Sequence, residues 1–458
     1  DPQRDAFDYQ PDAERVAVGK PVVTVDPSPG HVPDAAEGSP PEGPAPDSVP
    51  TPTSTPAEPV GRRSLLGYAG VAGAGALAGG LAGAGISRAA TPLPQPPVEA
   101  VIRRDYSPHE THQAGVVTPT PAVTRLVAFR LRQLSAEPLV KLLKLWSGDI
   151  QALMAGRPVP GDPTPDLARS GVSLSVTIGF GPRVFTLPGL TRQRPDGFVE
   201  IPPMRHDRLQ ARWHGGDLLA IIAADDATTV DYAARRLAAD AATFARPLWV
   251  QDGSWRGTDA SGAPVTGRNL FGQLDGTGNP TGQLLDEAVW AADPLPWFTG
   301  GTTLVVRRIE MDLDFWDRTT RERQEKVIGR RLDSGAPLTG SLEADVLDLA
   351  ATDATGNPVI PADAHARRSH PDENSGRRFL RRGLNYTHTE VVDGVPVATS
   401  GLVFLAFCAN IAKQFVPIQN RLDDGDALND WTYAIGSAVF AIPGGFAKDD
   451  WIARALFE

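Results

Sequence analysis

From Val123 onward the chain alternates apolar runs with amphipathic stretches, and before that it shows neither pattern. Val123–Leu131, Val172–Gly179, Leu218–Ala224, Thr303–Met311 and Leu402–Cys408 are apolar runs bounded by turn-forming residues, which predicts strands. Pro138–Ala155, Thr228–Phe244, Thr319–Arg331 and Ile411–Leu422 read as helices, the first amphipathic and the third polar. Residues 250–300 are rich in Gly, Asp, Asn and Pro and predict a long functional loop region. Two segments look alike. Leu218-Leu219-Ala220-Ile221-Ile222-Ala223 and Leu402-Val403-Phe404-Leu405-Ala406-Phe407 lie 184 positions apart, and each precedes a helix ending in Arg-Leu. Two halves of similar length follow from this, each mixing helices with a mostly antiparallel sheet, unless two apolar strands coincide by chance.

The N-terminal part is of another kind. Residues 1–60 hold 14 prolines and 11 acidic side chains against Arg4, Arg15 and Lys20. Such a segment buries too little apolar surface to offset its ordering entropy, so residues 1–61 read as a disordered acidic tail. Arg62-Arg63-Ser64-Leu65-Leu66 then opens an uncharged, Gly/Ala-rich run to Ile86, closed by Arg88-Ala89-Ala90. Twin arginines before a weakly apolar stretch resemble a twin-arginine (Tat) export signal over 62–90, with the small residues as a cleavage zone. The other reading is a Gly/Ala helix, buried or in a membrane, but each Gly costs such a helix about 1 kcal/mol against Ala. Export signals start near an N-terminus, so a translation start near Val60 is expected. Residues 91–115 form an extended lead-in, 116–265 an N-terminal half and 266–458 a C-terminal half.

Charge and cysteine narrow the function. A net charge of −11 argues against a nucleic-acid partner, which needs a basic face. A single cysteine, Cys408, excludes an internal disulfide and a cysteine-rich metal site.

Three clusters carry candidate chemistry. In Arg268-Asn269-Leu270-Phe271-Gly272-Gln273-Leu274-Asp275-Gly276-Thr277-Gly278-Asn279-Pro280, glycines around Asp275 let the backbone turn tightly against a ligand. The plain alternative is an Asp-Gly turn at a hairpin tip. Asp363-Ala364-His365-Ala366-Arg367-Arg368-Ser369-His370 and Phe379-Leu380-Arg381-Arg382-Gly383-Leu384-Asn385-Tyr386 bring His, Arg and Tyr within a short span. The arginine pairs read blandly as a solvated face.

Together these clusters resemble the dye-decolorising peroxidase family, haem b enzymes with a duplicated ferredoxin-like α+β fold. Gly272-Gln273-Leu274-Asp275-Gly276 matches the family's GxxDG signature, Asp363 through Arg367 its proximal-ligand segment, and Arg381-Arg382-Gly383 its distal-arginine segment. Short matches, among them His112-Gln113-Ala114-Gly115 and Ile328-Gly329-Arg330-Arg331, extend the likeness over roughly 110–458. The resemblance implies an exported enzyme that reduces hydrogen peroxide, oxidises organic reductants such as dyes and phenolics, and passes through the Tat translocase. It implies His365 as the iron ligand, with a carboxylate on its other ring nitrogen: Asp430 first, Asp426 second. Asp275 would move the peroxide proton and Arg381 would stabilise the departing hydroxide. An Asp, with an ordinary pKa of about 3.9, implies an acidic optimum. Arg367 would pair a haem propionate or sit in a surface salt bridge. Asn269, Gly276, Thr277 and Asn279 would shape the distal pocket, and Tyr386 or Trp431 would either relay electrons from the surface or simply pack in the core. His109, His112, His206, His214, His370 and His388 receive no role. The competing functions are a haem-binding, iron-acquiring (deferrochelatase-like) protein and a binding module without haem.

Overall fold

The computed structural model describes residues 104–169, 173–259, 263, 265–392 and 394–458. The tail, the twin-arginine segment and most of the lead-in lie outside the described residues. Among the described residues no helix is long and apolar enough to cross a membrane.

The strands are β1 (Val123–Leu131), β2 (Ser175–Phe180), β3 (Leu218–Ala224), β4 (Ala245–Ser254), β5 (Thr302–Met311), β6 (Leu380–Val392), β7 (Val395–Cys408) and β8 (Thr432–Ile442). The helices are α1 (Ala136–Met154), α2 (Asp166–Arg169), α3 (Ala227–Ala241), α4 (Gln283–Val289), α5 (Leu313–Arg318), α6 (Arg321–Ile328), α7 (His365–Arg368) and α8 (Val416–Gly425). The strands close into an antiparallel barrel in the order β1-β3-β2-β8-β5-β7-β6-β4. Within it, β4-β1-β3-β2 and β8-β5-β7-β6 have the same internal order, the second set repeating the first with each label advanced by four. The two look-alike segments are β3 and β7, which hold equivalent places. The seams between the sets are thin: Phe180↔Ala441 joins β2 to β8, and Ser254↔Asn385 joins β4 to β6.

Burial on both faces explains why these strands read as unbroken apolar runs. All of Leu218–Ala224 is buried. Leu126, Leu219, Leu304, Leu405 and Phe440 fill the barrel interior. Their neighbours Phe129, Leu218, Val305, Ala406 and Val439 belong to the outer core, with Leu139, Leu142 and Trp146 of α1 and Val230 and Leu237 of α3. Cys408 is buried there, and burial pushes its thiol up to about 12.

Several expected bounds shift. The helix expected over Thr319–Arg331 ends at Ile328, because Gly329 turns left-handed at φ +86°. The one expected over Ile411–Leu422 is a wider π-type turn, Ile411–Phe415, followed by α8. The 250–300 region is not one loop, since it contains the end of β4 and all of α4. Strands β4, β6 and β8 have no counterpart among the expected elements. In β6 the pleat separates the adjacent arginines. Arg382 turns inward, 9 % exposed, and donates to the carbonyls of Gly115, Val116 and Thr118. Arg381 turns outward to the cavity described next. This pair is therefore not a solvated face.

Candidate active site

The outer face of β5, β7 and β8 floors a cavity of about 1520 Å³, its open mouth included. Alternate residues of β5 (Arg307, Ile309, Met311) and of β7 (Leu402, Phe404) line it, as the two-residue period of a strand requires. The Asp275 loop, α7 and the end of α8 complete the walls.

The Asp275 loop is held from within and from both sides. Asn269 Oδ1 accepts the N–H groups of Phe271 (3.1 Å) and Gln273 (3.3 Å), while its Nδ2 donates to Asp275 Oδ2 at 3.4 Å. Gly272 (φ +80°) and Gly276 (φ +129°) occupy backbone conformations that a side chain would strain. Thr266 and Thr277 both donate to Glu343 Oε1, at 2.6 and 2.8 Å. Asn279 then clamps the loop to β6: its Oδ1 accepts the Arg381 N–H at 3.0 Å and its Nδ2 donates to the Arg381 carbonyl at 2.8 Å. The result places Arg381 Nε 3.1 Å from Asp275 Oδ1, with 30 % and 18 % of the two side chains exposed. Asp275 is thus a cavity carboxylate, and the hairpin-tip alternative falls away. Asn269 and Thr277 line the cavity; Gly276 shapes the turn without lining it.

His365 opens the short helix α7 on another wall. Its Nδ1 lies 2.5 Å from Oδ2 of Asp426, a carboxylate whose side chain is 3 % exposed and whose Oδ1 accepts the Leu428 N–H at 2.9 Å. The segments are tied by Ala427 N–H donating to the Asp363 carbonyl at 2.9 Å. Burial opposes a charge on the imidazole, but the Asp426 carboxylate outweighs it, so the His365 pKa is raised. Arg381 lowers it and Asp275 raises it, so the two sides of the cavity feel one another electrostatically. His365 is enclosed by protein, yet 38 % of its side chain is open because it borders the cavity.

The geometry decides three alternatives that the sequence left open. Asp430 is exposed at the end of the turn that Asp426 begins, and Asp426 is the carboxylate bonded to His365. Arg367 does not line the cavity: it donates to the carbonyls of Leu349 and Ile360 and pairs with Glu373 at 3.3 Å. Tyr386 and Trp431 are buried at 4 % and 3 % exposure and pack in the core, the alternative to a surface relay. His370, from the His365 cluster but given no role, also lines the cavity, as do His206 and Arg330 from outside the three clusters. Arg330 donates to the carbonyls of Gly335 and Glu343, and burial first, then Arg381, lowers its pKa.

Family models agree with this arrangement. The model described as Dyp-type peroxidase, N-terminal, matches residues 113–254, and the one described as Dyp-type peroxidase, C-terminal, matches residues 266–447. The chain belongs to the Dyp-type peroxidase family. It is 35% identical over 364 residues to the dye-decolorizing peroxidase of Thermobifida fusca, covering 76% of this chain and 84% of the relative. It is 32% identical over 369 residues to the deferrochelatase of Escherichia coli K12, covering 76% and 86%. Among solved structures it is similar to the DyP-type peroxidase of Cellulomonas bogoriensis, with 41% identity, TM-score 0.74 and coverage of 78% and 99%. It is also similar to ferric DtpA of Streptomyces lividans, with 38% identity, TM-score 0.74 and coverage of 80% and 100%.

A member of this family is a haem peroxidase, and the cavity fits that cofactor. Phe271, Ile309, Met311, Leu402 and Phe404 give the apolar walls that a flat macrocycle requires. With Nδ1 committed to Asp426, His365 keeps Nε2 for an iron. Asp275 and Arg381 line the same cavity.

Proposed function

We propose that this cavity reduces hydrogen peroxide at a haem b held by His365 and takes the electrons from organic compounds such as dyes and phenolics. One observation carries the reading. A single cavity holds a carboxylate-anchored imidazole and, separately, an Asp–Arg pair in hydrogen-bond contact. The haem supplies electron transfer and an open coordination position. This chain's residues supply the rest. Asp426 fixes the His365 tautomer and keeps the ring electron-rich. Asp275 accepts the proton from one peroxide oxygen and returns it to the other, so that the leaving group departs as water. Arg381 orients the peroxide and offsets charge on the departing oxygen, and Asn279 holds its backbone in place for that task. Asn269 steers the Asp275 carboxylate.

The repeated strand order supports a finer description of the fold, as two ferredoxin-like halves, 116–265 and 266–458. Export through the Tat translocase, read from Arg62-Arg63, belongs to the same proposal.

The test is rapid mixing of haem-loaded Asp275→Asn and Arg381→Leu with peroxide, following the haem absorption band. Loss of a positioned acid–base group costs about 10²- to 10⁴-fold. Wild-type rates in both variants would overturn the assignment.

A further inference from the structure

Each electron taken from a phenol comes with a proton that a base must accept before it reaches the product water. A phenol that gives up one electron also gives up a proton, ArOH → ArO• + H⁺ + e⁻, while Asp275 is engaged with peroxide. A second imidazole–carboxylate pair lines the same cavity. His206, on the segment between β2 and β3, places Nδ1 2.9 Å from Oδ1 of Asp423. That carboxylate also accepts the backbone N–H groups of Arg205 at 2.8 Å and His206 at 3.1 Å. Three donors from two adjacent residues therefore hold the ring in one pose.

The pair is built to keep a nitrogen free. Asp423 is 10 % exposed in its side chain and His206 is 43 % exposed. Burial pushes the Asp423 carboxyl up, but the N–H donors and the imidazole outweigh that and hold it below the usual carboxylate range. Whenever the ring is neutral, an Asp423 carboxylate that accepts from Nδ1 leaves Nε2 as the acceptor on an accessible ring. Asp423 and Asp426 are three residues apart at the C-terminal end of α8, one turn of helix, so neighbouring carboxylates anchor both imidazoles. Two charged neighbours flank the pair: Arg205 Nε lies 3.6 Å from Asp423 Oδ2 while its other end pairs with Asp424, and Asp207 pairs with Arg307.

We propose that His206, held by Asp423, accepts the hydroxyl proton of phenolic reductants docking at this end of the cavity. The inference rests on the peroxidase reading of the site. In each step the phenol's O–H bond breaks, its electron passes to the peroxide-oxidised enzyme and its proton passes to Nε2 of His206. Two such steps supply the two electrons and two protons that convert H₂O₂ into two H₂O. A donor with no proton to lose does not need His206.

The experiment compares haem-loaded wild type, His206→Gln and Asp423→Asn on 2,6-dimethoxyphenol and on ferrocyanide, which gives an electron alone. The kcat/KM for the phenol falls about 10²-fold in both variants, the lower end for general-base loss, and ferrocyanide turnover stays unchanged. A second measurement needs no turnover. 4-Nitrophenol, a poor reductant, binds the resting wild-type protein as the coloured phenolate and binds His206→Gln as the neutral phenol. An equal loss with both donors, an undiminished phenol rate, or the same nitrophenol spectrum in both proteins would overturn the proposal. A wild-type protein that fails to turn over ferrocyanide would overturn the peroxidase reading instead.

Discussion

Replacing Asp426 by Asn preserves the shape of the side chain and removes its charge. The wild-type contact is 2.5 Å from His365 Nδ1 to a carboxylate 3 % exposed. A hydrogen bond to a charged group contributes about 1.5–3 kcal/mol, against about 0.5–1.5 kcal/mol between neutral groups. The difference, about 1–1.5 kcal/mol, is roughly five- to tenfold in an equilibrium constant. That reaches the lower end of the roughly 10- to 100-fold effect typical of partners behind a metal-bound imidazole. The assay is haem transfer from the loaded protein to excess apomyoglobin, with the ferric/ferrous potential measured alongside. Asp426→Asn should release haem roughly five- to tenfold faster, and its potential should rise because ferric iron loses a nearby anion. Asparagine is also a good helix cap, so the bond to Leu428 N–H survives and the fold is preserved. Asp430→Asn, on an exposed residue, should match wild type. Unchanged release from Asp426→Asn, or the same loss in Asp430→Asn, would refute the reasoning.

Two further outcomes follow from other parts of the chain. Asp149 on α1 has its carboxyl pushed up to about 7, by burial first and then by the neighbouring Asp240 carboxyl of α3. The folded state therefore holds that proton more tightly than the unfolded chain, so the stability this gives is present near pH 4 and fades as pH rises through 7. Asp149→Asn should raise the urea midpoint above wild type at pH 8 and leave it unchanged near pH 4; an equal difference at both would contradict the sign. Arg62→Lys with Arg63→Lys should hold the folded protein inside the cell, and undiminished appearance outside it would sink the export proposal.

The apolar runs marked β1, β3, β5 and β7 because strands buried on both faces need no alternation to be visible. The same physics hid β6. Arg381, Arg382, Asn385, His388 and Glu390 look like a solvated stretch until the pleat sends Arg381 to the cavity and Arg382 to the carbonyls of Gly115, Val116 and Thr118. The 250–300 region looked like one loop because its Gly, Asp and Pro content outweighs the short α4. His365, Asp275 and Arg381 were legible because short motifs carried them in order.

The sequence by itself offered the candidate iron ligand and the candidate distal pair, because those depend on residue type and local spacing; the repeated strand order that turns two look-alike segments into equivalent places appears only in the barrel. The sequence did not choose between Asp426 and Asp430. Four residues separate them, and only the turn that begins at Asp426 buries one carboxylate against His365 while the other is left in solvent. Nor did it place His206 in the cavity. Over two hundred positions separate His206 from Asp423, and only closure of the barrel brings a loop of the first half onto the last helix of the second. A pairing at that distance leaves no local pattern, since it is made by the packing of whole strands rather than by neighbours along the chain.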